Sequence, residues 1–239
     1  MNREVIIVGG MTGWGKSLWS KIYSYHVNRL LVYDPAMSFP AVNFSEADGE
    51  HGELCFPSVI ENLDNDRFLY GPDKNQGKKQ QALEPFRVGI FEPDRISELG
   101  GAAFALGHNL LVLEETSTIF EKGQRNLEAW LRRLIFLGRH RQCSILCIAQ
   151  RFMSVPIDIR SQANRVISFN QHEPEDIRYL TETFGKELVE RIPSLERFQC
   201  FDRHNGKTYE YSIENMAEKT LGIKLDKPEE SGYTAFHTD

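Results

Sequence analysis

Apolar positions along the chain fall into short unbroken runs, and polar positions collect between them. Residues 4–8 (EVIIV), 30–33 (LLVY), 86–92 (FRVGIFE), 110–114 (LLVLE), 144–149 (SILCIA) and 165–169 (RVISF) each predict a buried strand. Residues 16–27, 93–107, 124–138 and 174–184 carry helical spacing instead, the last beginning after Glu173-Pro174. Within 124–138, Trp130, Leu131, Leu134, Ile135 and Leu137 predict a core-facing stripe. Residues 197–202 and 207–213, joined at Asn205-Gly206, predict a β-hairpin. The second strand is stopped by Pro35, the segment 35–57 reads as loop, and 57–64 predicts a short helix. Residues 70–85 (YGPDKNQGKKQQALEP) are polar and rich in Gly, Gln and Lys, and read as a long exposed loop. Wholly apolar strands alternating with helices are the pattern of a parallel sheet covered on both faces, so the expected class is α/β.

Composition narrows this without redirecting it. The chain has 239 residues, enough for a sizeable core, with 41% hydrophobic and 26% charged residues. Those fractions exclude a disordered or collagen-like chain. No apolar run approaches membrane-spanning length, so no span is expected. Four cysteines, Cys55, Cys143, Cys147 and Cys200, lack zinc-ligand spacing, and Cys143 and Cys147 read as core thiols. The formal net charge of −6 excludes a uniformly basic coat but leaves room for a local basic groove.

Chemistry enters at Gly10-Met11-Thr12-Gly13-Trp14-Gly15-Lys16-Ser17, which fits G-x-x-x-x-G-K-[ST] at every fixed position. Glycines let backbone N–H groups turn inward around phosphates, Lys16 reaches the β/γ oxygens, and the Ser17 hydroxyl suits Mg2+. The preceding apolar strand and following helix are the context such a loop requires, with the positive helix end aimed at the anion. The motif predicts binding of a nucleotide with Mg2+. The run ending in Glu114 and Glu115 supplies two acids at the carboxyl end of a buried strand, where open α/β sheets bind ligands. Glu114 is the candidate for the metal and Glu115 for activating water. Gln150, ending SILCIA, is a candidate to bridge the γ-phosphate and the attacking water.

Together these residues resemble the FtsK/HerA superfamily of ring-forming, DNA-pumping P-loop ATPases. The resemblance covers roughly residues 3–215 and is carried by the phosphate loop, the two-acid strand, the stretch from Arg139 to Gln150-Arg151, and the strand from Asn164-Arg165 to Phe169. It departs at Glu114, where the family has Asp. The resemblance implies that the nucleotide is ATP, and a RecA-like fold, a mostly parallel sheet between helices with a C-terminal β-hairpin. Residues 1–215 would form the ATPase domain and 216–239 a polar tail. It also implies a trans-acting arginine at Arg139, with Arg141, Arg160 and Arg165 as rivals. Residues 125–141 hold five Arg against one Glu, which fits a subunit or nucleic-acid surface.

Chain size points within the superfamily to the compact genome-packaging ATPases of tailless, internal-membrane double-stranded DNA viruses and phages. That implies a motor acting on double-stranded DNA as a homo-oligomeric ring, a hexamer by family pattern. It would meet capsid or portal vertex proteins, in the host cytoplasm or at the packaging vertex of the virion. Lys74, Lys78, Lys79 and Arg87 are the candidate DNA contacts, because cations in a pore loop track phosphates without reading bases. Two alternatives stay open: an extrusion motor similar to the Zot-type assembly ATPases, and a nucleotide-dependent scaffold that does not turn ATP over.

Overall fold

The computed structural model describes residues 3–36, 86–90, 93–120 and 128–223. Among them, eight strands form one sheet in the order β3-β2-β4-β5-β1-β6-β7-β8. The strands are β1 (Val5–Gly9), β2 (Arg29–Tyr33), β3 (Phe86–Ile90), β4 (Asn109–Leu113), β5 (Cys143–Ala149), β6 (Arg165–Ser168), β7 (Gln199–His204) and β8 (Lys207–Ser212). The first six run parallel, and β7 and β8 add an antiparallel hairpin beyond β6. This is the expected α/β architecture, turned at Asn205-Gly206 as the sequence predicts.

Alternation along the strands divides the core in two. In β1, β2, β4 and β5, odd-numbered positions such as Ile7, Leu31, Leu111 and Ile145 join the cluster under α2 (Ile96–Leu106), α3 (Ala129–Leu137), α4 (Ile157–Gln162) and α5 (Pro174–Phe184). In the same four strands, even-numbered positions such as Ile6, Val32, Val112 and Leu146 join the cluster under α1 (Lys16–Ser24). Strands buried on both faces are apolar at nearly every position, which explains the long apolar runs. A short helix α6 (Lys186–Val189) follows α5, and α7 (Glu214–Leu221) follows the hairpin and lies against α1 with Ala217 buried. Helix α7 starts at the end of the predicted ATPase domain and extends into residues read as tail.

Two details depart from expectation. Helix α1 ends at Ser24 rather than 27. In α3, Leu131, Leu134 and Ile135 are fully buried, whereas Leu137 is 48% exposed. Leu137 lies six residues past Leu131, about 240° around the helix, so it leaves the stripe that faces the sheet. Trp130 stays partly buried because Gly100 of α2 has no Cβ to meet its ring. The predicted loops 35–57 and 70–85 and helix 57–64 lie almost wholly outside the described residues. No helix among the described residues is long and apolar enough to cross a membrane.

Candidate functional site

The phosphate loop leaves the carboxyl end of β1 and enters α1 through Gly15, whose φ of 108° and ψ of 7° are left-handed. A Cβ on Gly15 would come within 2.9 Å of the Phe198 ring and 3.0 Å of Ile213. At Gly13, φ is +81°, and an added Cβ would meet nothing within 4 Å. The loop is therefore backed by packed side chains at Gly15 and open at Gly13. Its base is tied down where the Met11 N–H donates to the Asn170 carbonyl at 2.9 Å. Trp14 packs against the core cluster on the α1 face.

Lys16 is buried, and its Nζ donates to the Met11 carbonyl at 2.8 Å. Burial lowers its pKa, while the charges of Glu115 and Glu114 pull the other way. Ser17 is half-buried at the start of α1. Glu114 is 3% exposed and follows directly on β4. Its N–H donates to the Tyr33 carbonyl at 2.9 Å, extending the parallel ladder one residue beyond the paired Tyr33 and Leu113. The same extension places Asp34, 5% exposed, beside it at the end of β2. Strand alternation sends both residues toward the α1 face. Lys21 of α1, one turn beyond Ser17, is attracted by Glu114 and Asp34, while burial lowers its pKa. Neither Asp34 nor Lys21 is predicted from the sequence. Asp34 carries a signal, an acid closing an apolar strand, but next to Pro35 it reads as a strand stop.

Glu115 takes a left-handed backbone, φ 50° and ψ 61°, which is uncommon outside glycine and recurs at functional sites. Its carboxylate accepts the Ser117 hydroxyl at 2.6 Å and the Gln150 Nε2 at 3.4 Å. The structure thus brings Lys16, Glu114, Glu115 and Gln150 to one edge of the sheet. A further network, not predicted, holds Gln150 there. The Gln171 amide donates to the Gln150 carbonyl at 3.1 Å and to Asp176 at 3.1 Å. Asp176, whose pKa burial raises, also accepts the Met153 N–H at 2.8 Å and Arg151 at 3.4 Å. Arg151 reaches Glu173 and Glu175 as well.

The candidate arginines separate by what they touch. Arg165 makes a two-pronged pair with Asp202, at 3.1 and 2.7 Å, and lies over the rings of Trp19 and Tyr23. Arg160 donates to the Val155 carbonyl and lies over Tyr179. Arg141 caps the end of α2 through the Phe104 and Ala105 carbonyls. Arg139 is exposed, and the hydrogen bond of its side chain among the described residues goes to neighbouring His140. It sits in the 3-10 turn Gly138–Arg141 that precedes β5, at the sheet edge opposite the phosphate loop. A cleft of about 320 Å3 lined by His26, Arg29, His108 and Gln142 opens on that same edge. Of the candidate DNA contacts, Lys74, Lys78 and Lys79 lie outside the described residues, and Arg87 lies in β3.

No protein-family model and no curated protein matches the sequence. The fold does have counterparts among solved structures. The genome-packaging NTPase B204 from Sulfolobus turreted icosahedral virus 2, in complex with AMPPCP, superposes with a TM-score of 0.64 at 14% identity. That match covers 89% of this chain and 98% of the other. B204 from Sulfolobus Turreted Icosahedral Virus, a DNA-packaging ATPase, matches with a TM-score of 0.62 at 14% identity, over 89% and 98% of the two chains. VirB4 of Thermoanaerobacter pseudethanolicus matches with 0.55 at 10% identity, over 87% and 89%. At these identities the likeness is one of fold.

Proposed function

We propose that this chain is a Mg2+-dependent ATPase that moves double-stranded DNA into a preformed capsid, working in a homo-oligomeric ring. The observation that carries the chemistry is Glu115, held by Gln150 and Ser117 beside a phosphate loop whose lysine feels its charge. The shared fold with a viral genome-packaging NTPase over almost its whole length supports the biological half of the reading.

The residues present fit Mg·ATP. The loop is open at Gly13, and its fixed glycine, lysine and serine positions suit a polyphosphate. The Ser17 hydroxyl and the Glu114 and Asp34 carboxylates are oxygen donors of the kind hard divalent cations take. Bound Mg2+ would supply charge neutralisation at the transferring phosphoryl group. Lys16 binds the phosphates, and Glu115 orients and polarises water, with Gln150 steadying its carboxylate. Arg139 completes the site of a neighbouring subunit. Lys74, Lys78, Lys79 and Arg87 contact the DNA backbone.

The test is Mg·ATP hydrolysis by the purified chain, with and without double-stranded DNA, beside Glu115→Gln. Turnover stimulated by DNA and abolished in E115Q, with ATP binding retained, is the expected result. Normal turnover in E115Q removes Glu115 from its role. Turnover indifferent to DNA favours an assembly or extrusion motor, and absent turnover favours a scaffold.

A further inference from the structure

One segment beside the phosphate loop has no part in the chemistry above. Between the 3-10 turn Ile192–Ser194 and β7, the chain passes through Arg197 and Phe198. Phe198 has φ +68°, a left-handed conformation that is an outlier for a bulky side chain. Its ring is buried against Gly15, and its carbonyl accepts the Ile213 N–H at 3.0 Å. Such strain persists only where the surroundings enforce it, and it concentrates at ligand sites.

Arg197, the residue before it, turns back over the loop. Its Nε donates to the Gly13 carbonyl at 3.2 Å, and its guanidinium lies 4.7 Å from the centre of the Phe198 ring. That is the hydrogen bond Arg197 makes among the described residues, and its side chain is exposed. A guanidinium carries five N–H donors, so four remain on its terminal nitrogens. They sit beside the one glycine of the loop where an added Cβ would meet nothing.

We propose that Arg197 is a phosphate-binding residue acting within its own subunit, contacting the polyphosphate of the nucleotide from the Gly13 side of the loop while Lys16 holds it from within. This rests on reading the loop as a nucleotide site. A planar guanidinium fork matches phosphate oxygens, and stacking on a ring fixes the fork in advance. Arg197 is distinct from Arg139, which lies at the other edge of the sheet. It also links the nucleotide to the β7–β8 hairpin, which begins two residues later.

Equilibrium binding of Mg·ATP and of AMP to the full chain, native and as K16A, R197A and R197Q, tests this. Glutamine keeps a donor for the Gly13 carbonyl but drops the charge. A charge contact predicts that R197A and R197Q both lose about tenfold in ATP affinity, with AMP affinity changed less than about twofold. R197Q binding ATP like the native chain while R197A binds weakly would make Arg197 a mere brace for the loop and overturn the proposal. Native-like ATP binding by both variants would overturn it too. Should K16A bind ATP as tightly as the native chain, the nucleotide reading itself fails, and the role of Arg197 with it.

Discussion

At the scale of single residues, the proposed catalytic edge depends on side chains held in position by neighbours. Gln150 donates to Glu115 and is itself held at its carbonyl by Gln171. Gln150→Ala should lower kcat by about a hundredfold, the effect of removing one preorganised donor, while leaving KM near native. Steady-state kinetics checks this, and an unchanged kcat would exclude Gln150 from the reaction. The arginines give a second contrast. Arg165→Ala leaves Asp202, 3% exposed, without its two-pronged partner. The loss should be about 3 kcal/mol, or a fall in Tm of about 10 °C. Arg139→Ala removes an exposed side chain and should leave Tm within about 2 °C while lowering turnover. Thermal denaturation of both variants, beside their ATPase rates, separates a structural arginine from a functional one. The sequence puts Arg139 first by resemblance but leaves Arg141, Arg160 and Arg165 as rivals, because nothing in a linear pattern reveals that Asp202, Phe104 or Val155 will claim those three.

At the scale of elements, β5 explains how much of the fold was readable. Every residue of Cys143–Ala149 is buried, so the run is apolar but for Ser144, whose hydroxyl accepts the Glu4 N–H, and was visible as such. Helix α5 was equally plain, because Pro174 opens it after Glu173 and Gly185 follows its end. Helices α4 and α7 were not legible. The first has six residues, too few to establish a period, and α7 buries only Ala217 deeply. The left-handed turn at Glu115 was hidden as well, since two glutamates after an apolar run look like an ordinary strand end. Burial in and around β5 also has a chemical consequence. It pushes the thiol of Cys143 up to about 11 and that of Cys147 to about 12, and burial within β7 pushes Cys200 up to about 12. Only the thiolate is nucleophilic, so all three should resist alkylation at pH 8 in the folded chain and react on denaturation. Peptide mapping after iodoacetamide treatment reads this directly. Rapid native labelling of Cys147 would show that the sheet opens there.

At the scale of the whole molecule, the same strand sets the distance between the phosphate-loop edge and the Arg139 edge. Gln150 follows β5 and Arg139 precedes it, so seven strand residues, roughly 23 Å, separate them. An arginine side chain spans far less than that. If Arg139 takes part in hydrolysis at all, it does so at another subunit's phosphate loop. A surface at one edge that completes a site at the other is heterologous, and such contacts build a ring where the rotation between subunits closes. This makes a mixing experiment decisive. Lys16→Ala destroys a subunit's own site but leaves its Arg139, and Arg139→Ala does the reverse. Each variant alone should be inactive. In a random equimolar ring, an intact site meets an intact arginine at about a quarter of interfaces, so turnover should return toward a quarter of the native rate. A mixture as inactive as its components would show that Arg139 does not act across subunits, and the opposed placement of the two edges would then need another use.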